Sequence, residues 1–158
     1  MVSTNANDIE IRTETNRRAK TDSNKKLQAQ HPIELEYWFI LPALRRSVAQ
    51  TLKNSGMKQK QVAKILGITE AGVSQYLKGS RGVLKTKEEK VILFPDWINE
   101  EVSKSCSVIL EDPEDHNNFL KEMNRLLTSI RDRPLDFLCM LHNEYGLVDD
   151  NCDVCLNG

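Results

Sequence analysis

The chain lacks what would make it a membrane protein, a secreted protein or an enzyme of a recognisable kind. No apolar run approaches the roughly 20 residues that span a bilayer, and the opening MVSTNANDIE has no hydrophobic segment of a secretory signal. A cytoplasmic protein is expected. There the four cysteines, Cys106, Cys139, Cys152 and Cys155, would be thiols or metal ligands and not structural disulfides. Phosphate loop, nucleophile elbow and zincin signature are all missing. The C-x-x-C pair near the end has no βαβ pattern around it, as a thiol oxidoreductase would. No catalytic role is therefore expected. Large apolar side chains are also scarce over residues 1–31, where Ile9, Ile11 and Leu27 stand almost alone among Asn, Thr, Lys and Gln. Such a stretch cannot bury enough surface to offset the entropy of ordering it, so a disordered basic arm is expected. Its Arg17, Arg18, Lys20, Lys25 and Lys26 make either a solvated tail or a strip of charge for DNA phosphates.

Net charge is nearly absent too, at −1, but the charges are segregated. Residues 32–90 hold 11 basic and 5 acidic side chains, a net +6, whereas residues 91–158 hold 5 and 14, a net −9. A basic half suits a polyanion, and an acidic half stays off it and meets protein. With 158 residues, 39% of them hydrophobic, the chain is long enough for one core or a small domain with an appendage.

What is present centres on residues 58–81, KQKQVAKILGITEAGVSQYLKGSR. Val62, Ile65 and Leu66 form an apolar stripe on a first short helix, with Lys60 and Lys64 turned away from it. Gly67 stands where a left-handed glycine ends a helix, and Thr69 is an N-cap for a second helix over residues 70–78, which Gly79 ends. On that second helix Val73 and Leu77 are expected to face inward with Tyr76 at the margin. Ala71, Ser74, Gln75 and Lys78 fall on the other side.

Two short helices joined by a tight glycine corner are the pattern of the helix-turn-helix, whose second helix enters the major groove. Ala71 and Ser74 are small enough to let a duplex approach, beside Glu70 at the helix start, and Gln75 carries an amide that can pair twice with adenine. Lys78 and Arg81 are placed for phosphates, as are Gln59 and Lys60 at the start of the first helix, where open backbone amides add an anion site. Gln59, Ala63, Gly67, Val73 and Tyr76 within this stretch resemble the repressor-type (Cro/cI-like, XRE) helix-turn-helix of phage and prokaryotic regulators. More narrowly, residues 37–82 are similar to a group of archaeal predicted transcriptional regulators in which W-x-x-L-P-A, here Trp38 to Ala43, precedes the helix pair. Several of that group carry cysteines near the C-terminus. The resemblance covers about a third of the chain and implies sequence-specific DNA binding. The alternative is an ordinary packed helix pair with a solvated lysine face, used by a protein-binding adaptor whose docking surface is the acidic C-terminal module.

Ahead of that pair, IELEYWFIL over residues 33–41 is the most apolar stretch, and Pro42 suits the first turn of a helix to about Asn54 with Leu44, Val48 and Leu52 inward. Tyr37, Trp38 and Phe39 are either core filling or a dimer contact. Beyond Gly82, Lys85 to Lys90 reads as a charged helix start or linker, and VILF over residues 91–94 as a short strand or buried turn. Further helices are expected over about residues 97–110, with Ile98, Val102, Cys106 and Ile109 on one side, over 115–131, with Phe119, Met123, Leu126, Leu127 and Ile130, and from Pro134 through Tyr145. Repressors commonly bind two half-sites as two-fold dimers, which makes these helices candidates for homodimerisation.

Cys139, His142, Cys152 and Cys155 read C-x2-H-x9-C-x2-C, a donor set and spacing that suit tetrahedral zinc. Replacing His142 by Cys106 gives four thiolates, which suit an iron–sulfur cluster. A third reading holds no metal, with Cys106 and Cys139 as buried small hydrophobes and the terminal pair as a redox-sensitive dithiol. His31 and His116 lie outside any ligand spacing and are taken as surface residues. The sequence thus predicts an all-α protein in three parts: an arm over 1–31, a helix-turn-helix domain over 32–90, and a helical, cysteine-bearing dimerisation or sensor module over 91–158.

Overall fold

A proline placed early in a long helical run shapes the first part of the protein. The computed structural model describes residues 31–145 and 151–156. The arm expected over residues 1–31 therefore lies, His31 apart, outside the described residues, as do Gly146, Asp149 and Asp150 of the loop between the C-terminal cysteines. Helix α1 (Pro32–Leu35) starts at His31, whose ring accepts from Ile33 N–H at 3.2 Å while its own N–H donates to the Glu34 carboxylate at 2.9 Å. It runs through a π-helical turn (Glu36–Ile40) into α2 (Leu41–Asn54). Pro42 has no N–H to send back one α-helical turn, and its ring would crowd the carbonyl there. The widened turn, in which Leu41 N–H reaches the Glu36 carbonyl, precedes it for that reason. Leu35 and Ile40 are fully buried and Tyr37 is exposed.

Helix α2 is the central post. Ala43, Leu44, Val48, Ala49 and Leu52 are buried along it, and α3 (Gln59–Leu66), α4 (Glu70–Lys78) and α5 (Asp96–Glu111) all pack against it. The α3–α4 corner forms as its local signals dictate. Gly67 is left-handed at φ 65°, Thr69 Oγ1 accepts from Gly72 N–H at 3.0 Å, and Gly79 closes α4 at φ 78°. One side-chain expectation is overturned: Tyr76 is fully buried and Leu77 only half-buried. The ring of Tyr76 fills the seat of α4, and Arg46 Nε on α2 donates at 3.2 Å to the Tyr76 carbonyl, which also accepts from Gly79 N–H at 3.2 Å at the helix end.

The charged stretch from Lys85 to Lys90 is not a helix start or a linker. It is the bend of a small antiparallel hairpin, β1 (Leu84–Lys85) with β2 (Val91–Ile92), in which Leu84 faces Ile92 and Lys85 faces Val91. Thr86 accounts for the reversal, since its N–H donates to Lys90 O at 2.8 Å and its hydroxyl accepts from Lys90 N–H at 3.2 Å, with Glu89 left-handed at the tip. So VILF supplies a strand, and the protein is predominantly helical with one hairpin.

After the hairpin come α5 and α6 (His116–Arg131), packed on each other, then a second π-helical turn (Pro134–Leu138) and α7 (Cys139–Tyr145), which lies on that turn and on α1. Buried residues from Leu35 to Tyr145 form one hydrophobic cluster. Polar ties hold the C-terminal half to it. Arg131 grips the buried Glu36 with two hydrogen bonds, at 2.8 and 2.6 Å. Tyr145 donates its hydroxyl proton to the Lys85 carbonyl and accepts from Lys85 N–H at 2.6 Å. Phe39 stacks on the Tyr145 ring at 4.0 Å between centroids, so this member of the aromatic trio is core filling. His116, expected at the surface, is exposed but structurally employed, with Nδ1 2.9 Å from the Ile65 carbonyl at the end of α3. Among the described residues no helix is long and apolar enough to cross a membrane.

Gly82 brings the segment after α4 against the start of α2. At φ 75°, a Cβ built on it would stand 2.5 Å from the Pro42 carbonyl oxygen and 3.0 Å from Arg46 Cβ. Gly82→Ala is expected to destabilise the fold by about 2 kcal/mol or more, read as a lower urea midpoint at unchanged slope. An unchanged midpoint would show that this close approach is not required.

Candidate nucleic-acid interface

The apolar side of α4 is pinned by Val73 and Tyr76, both fully buried, and the helical period then decides what the other side presents. Glu70, Ala71, Gln75 and Lys78 are exposed, and Ser74 is half-buried between them and the core. Gln75 makes no side-chain hydrogen bond among the described residues, so its amide is available. Gln59, at the start of α3, is already engaged: Nε2 donates to the Glu70 carbonyl at 2.8 Å and bridges the starts of α3 and α4. It thus spaces the two helices. Lys60 is exposed beside it and Arg81 lies just beyond α4. The predicted set of Gln59, Lys60, Glu70, Ala71, Ser74, Gln75, Lys78 and Arg81 is therefore brought to the outer side of one helix pair and its flank.

Cations on that side differ from those elsewhere. Among the described residues Lys60, Lys78 and Arg81 have no carboxylate partner. On α5 and α6, Arg125 is bonded to Glu122 at 2.8 Å, to the Ser105 hydroxyl at 2.7 Å and to both a side-chain and a backbone oxygen of Glu101. Those bonds, the Glu122 one first, hold the Arg125 guanidinium above its ordinary pKa, and Glu36 does the same for Arg131. Glu101 is held below the ordinary carboxylate range by Lys104 and then Arg125. Positive charge in the C-terminal half is largely cancelled in place. On the α3–α4 side Lys64 pairs with Glu114, while Lys60, Lys78 and Arg81 are left without such a partner among the described residues.

Arg45, like Arg46, is expected from the sequence to turn partly outward on α2. It lines an open cleft of about 360 Å³ together with Tyr37, Trp38 and Arg81, and its Nε is buried with no hydrogen-bond partner among the described residues. The signal was there in the Arg45–Arg46 doublet after Pro42, but only Arg46 turns toward α4. No periodicity separates the two.

The cysteines divide. Cys106 is in the core, its Sγ 4.0 Å from the Val48 carbonyl, and burial pushes its thiol up to about 11. Thr51 of α2 acts on it by a hydrogen bond that lowers its pKa, and the charge of Glu122 on α6 raises it. It holds an apolar side chain's place on the inner stripe of α5. Cys155, by contrast, is packed partly into the core beside Cys139, with Cys152 near. Burial first, then the Cys139 thiol, raises it to about 11. His142, one turn after Cys139, is buried. Three thiols thus share one end of the molecule, although among the described residues no three donors are arranged to hold a metal ion. Searches of protein-family models, of curated proteins and of solved structures find no match to this chain.

Burial of Cys106 carries a pH dependence. The unfolded thiol ionises near its ordinary value of 9.0, whereas the folded one keeps its proton to about 11. Stability attributable to this thiol is present below pH 9 and falls between pH 9 and 11, by up to about 1.4 kcal/mol per pH unit. Denaturant titrations across that range should show a steeper decline for the native chain than for Cys106→Ala. Equal slopes would place the thiol in a polar setting instead.

Proposed function

We propose that this chain is a sequence-specific DNA-binding transcriptional regulator of the repressor-type helix-turn-helix kind, with α3 and α4 as the motif and α4 as the helix that enters the major groove. The observation that carries this reading is the outer side of α4: Ala71 and Gln75 exposed, small and amide-bearing, flanked by Lys60, Lys78 and Arg81 without carboxylate partners. An exposed amide on a helix of groove-fitting width can read adenine through two hydrogen bonds, while unpaired cations meet phosphates and release counterions. The net charge of +6 over residues 32–90 supports the same reading. The resemblance of residues 37–82 to archaeal regulators of this kind agrees with it.

The regulator is proposed to act as a homodimer in the cytoplasm, reading two half-sites. Val108 and Leu110 of α5 and Leu120 of α6 are large apolar side chains left exposed, and they supply surface for such pairing. A soft metal ion at the C-terminal end belongs to the proposal as well, because Cys139, Cys152 and Cys155 come to that end and, with His142, have zinc-like spacing in the sequence. Metal analysis with a visible spectrum of anaerobically purified protein decides it. Colourless protein with stoichiometric zinc supports zinc, a brown sample supports an iron–sulfur cluster, and metal-free protein removes the metal from the proposal.

Two substitutions test the DNA reading. Gln75→Ala is expected to lose about 1–3 kcal/mol on the selected operator and little on random duplex; equal loss on both would remove Gln75 from base recognition. Lys60→Ala is expected to weaken all duplexes alike and to lower the salt slope of binding by about one. Gel shifts at several salt concentrations read both, and a native chain with no affinity for any duplex at low salt would sink the proposal.

A further inference from the structure

The cleft between the α1–α2 elbow and the segment after α4 has the donors and the walls for a small ligand of definite chemistry. Arg45 and Arg81 line it on the cationic side, and the aromatic residues Tyr37 and Trp38 line it too. Neither arginine has a carboxylate partner among the described residues, and Arg45 Nε is buried without a hydrogen-bond partner. A buried N–H left unpaired is costly, and such groups ordinarily find a partner in the protein, in ordered water or in a ligand. Tyr37 is 67% exposed although it is a large ring with an apolar face. Gly82 fixes the spacing of the walls, since its close approach to Pro42 holds the Arg81 segment against the start of α2.

Two forked, permanently charged donors match the oxygens of a phosphate, and flat rings match the face of a base. A cleft of about 360 Å³ falls in the range of small-molecule sites. We propose that this cleft binds a free nucleotide, with the phosphate between Arg45 and Arg81 and the base against Tyr37 and Trp38. A phosphate of duplex DNA would satisfy the arginines, but its bases are stacked in the helix and cannot reach the rings. The rings therefore favour the free ligand. Arg81 also lies over the Tyr76 ring, 5.1 Å from its centroid, at the foot of α4. Resting on the DNA-binding reading, the consequence is regulatory: a nucleotide and a duplex compete for Arg81, so the nucleotide lowers operator affinity.

The test is calorimetric titration of the full chain with adenosine 5′-monophosphate, and in parallel with adenosine and with inorganic phosphate. Binding of the monophosphate is expected, with each half-ligand weaker by about tenfold or more. Arg45→Gln should weaken the monophosphate by about tenfold, and Tyr37→Ala should weaken it too, while Lys60→Ala should not. Tyr37 is exposed enough that its truncation leaves the core intact, and thermal melts of each variant check this. Absence of binding at about 5 mM, weaker than any specific site of this size should be, overturns the proposal. So does binding that Arg45→Gln and Tyr37→Ala both leave unchanged. If Arg45→Gln weakens duplex binding while the monophosphate never binds, the cleft is a backbone contact and the proposal falls. If the monophosphate binds through Arg45 and Tyr37 but no duplex binds at all, the nucleotide site stands and the DNA reading alone is lost.

Discussion

The seating of α4 on α2 is the contact on which the rest depends. Val73 and Tyr76 are removed from water on the inner side of α4, and Arg46 closes its last turn by donating to the Tyr76 carbonyl. Full burial of an aromatic and a branched side chain contributes about 1.5–3 kcal/mol each, enough to fix the rotation of a helix of only nine residues. A helix this short would not hold its shape in isolation. Once its inner stripe is fixed, the azimuth of every outer residue follows from the helical period, and Ala71, Gln75 and Lys78 have nowhere to go but outward. Gln59 adds a second constraint, because its bond to the Glu70 carbonyl sets the distance between the starts of α3 and α4.

The C-terminal half solves a different problem. Its excess of acid falls on α5, on the connection to α6 and on the stretch after α6, and much of its positive charge is paired with Glu101 and Glu122 within it and with Glu36 ahead of α2. Partly buried guanidinium–carboxylate pairs of this kind are weak sources of net stability, yet breaking one leaves a charge without its partner. Their larger effect here is on geometry. Arg125 ties α6 to α5, and Arg131 ties α6 to the π-helical turn ahead of α2. The acidic half is thereby fixed to the scaffold that carries the basic one, through one continuous core.

How much of this is legible in the sequence depends on how local each signal is. Gly67, Thr69 and Gly79 act within three or four residues of themselves, and the corner they predict is the corner observed. The inward stripes of α5 and α6 follow from spacing alone, to within a residue or so at each end. Tyr76 is different. Its hydroxyl argues for the margin, while the packing that swallows the ring comes from α2, thirty residues earlier, and the hydroxyl finds no partner among the described residues. Strands of two residues have no period to detect, so the hairpin is hidden behind its charges, and what holds it is Tyr145, sixty residues away in sequence. Cys106 looks like a ligand in a list of thiols and like a small hydrophobe on the stripe of α5. On α5 it is buried, with Sγ 4.0 Å from the Val48 carbonyl.

Proximity without sequence proximity also explains the cleft. Arg45 and Arg81 are separated by thirty-six positions, and Trp38 and Arg81 by more, so no motif scan joins them. What joins them is the glycine at position 82, where the absence of a side chain lets one backbone segment touch another. The π-helical turn then contributes the other wall. It adds one residue to the helix before Pro42, and the extra residue rotates Tyr37 and Trp38 relative to the buried Leu35 and Ile40 on either side of them. Tyr37 stands exposed at the cleft while Phe39, two residues on, is stacked in the core against Tyr145. A backbone irregularity forced by proline and a close approach permitted by glycine thus place cations and rings together, at the foot of the helix whose outer side is bare.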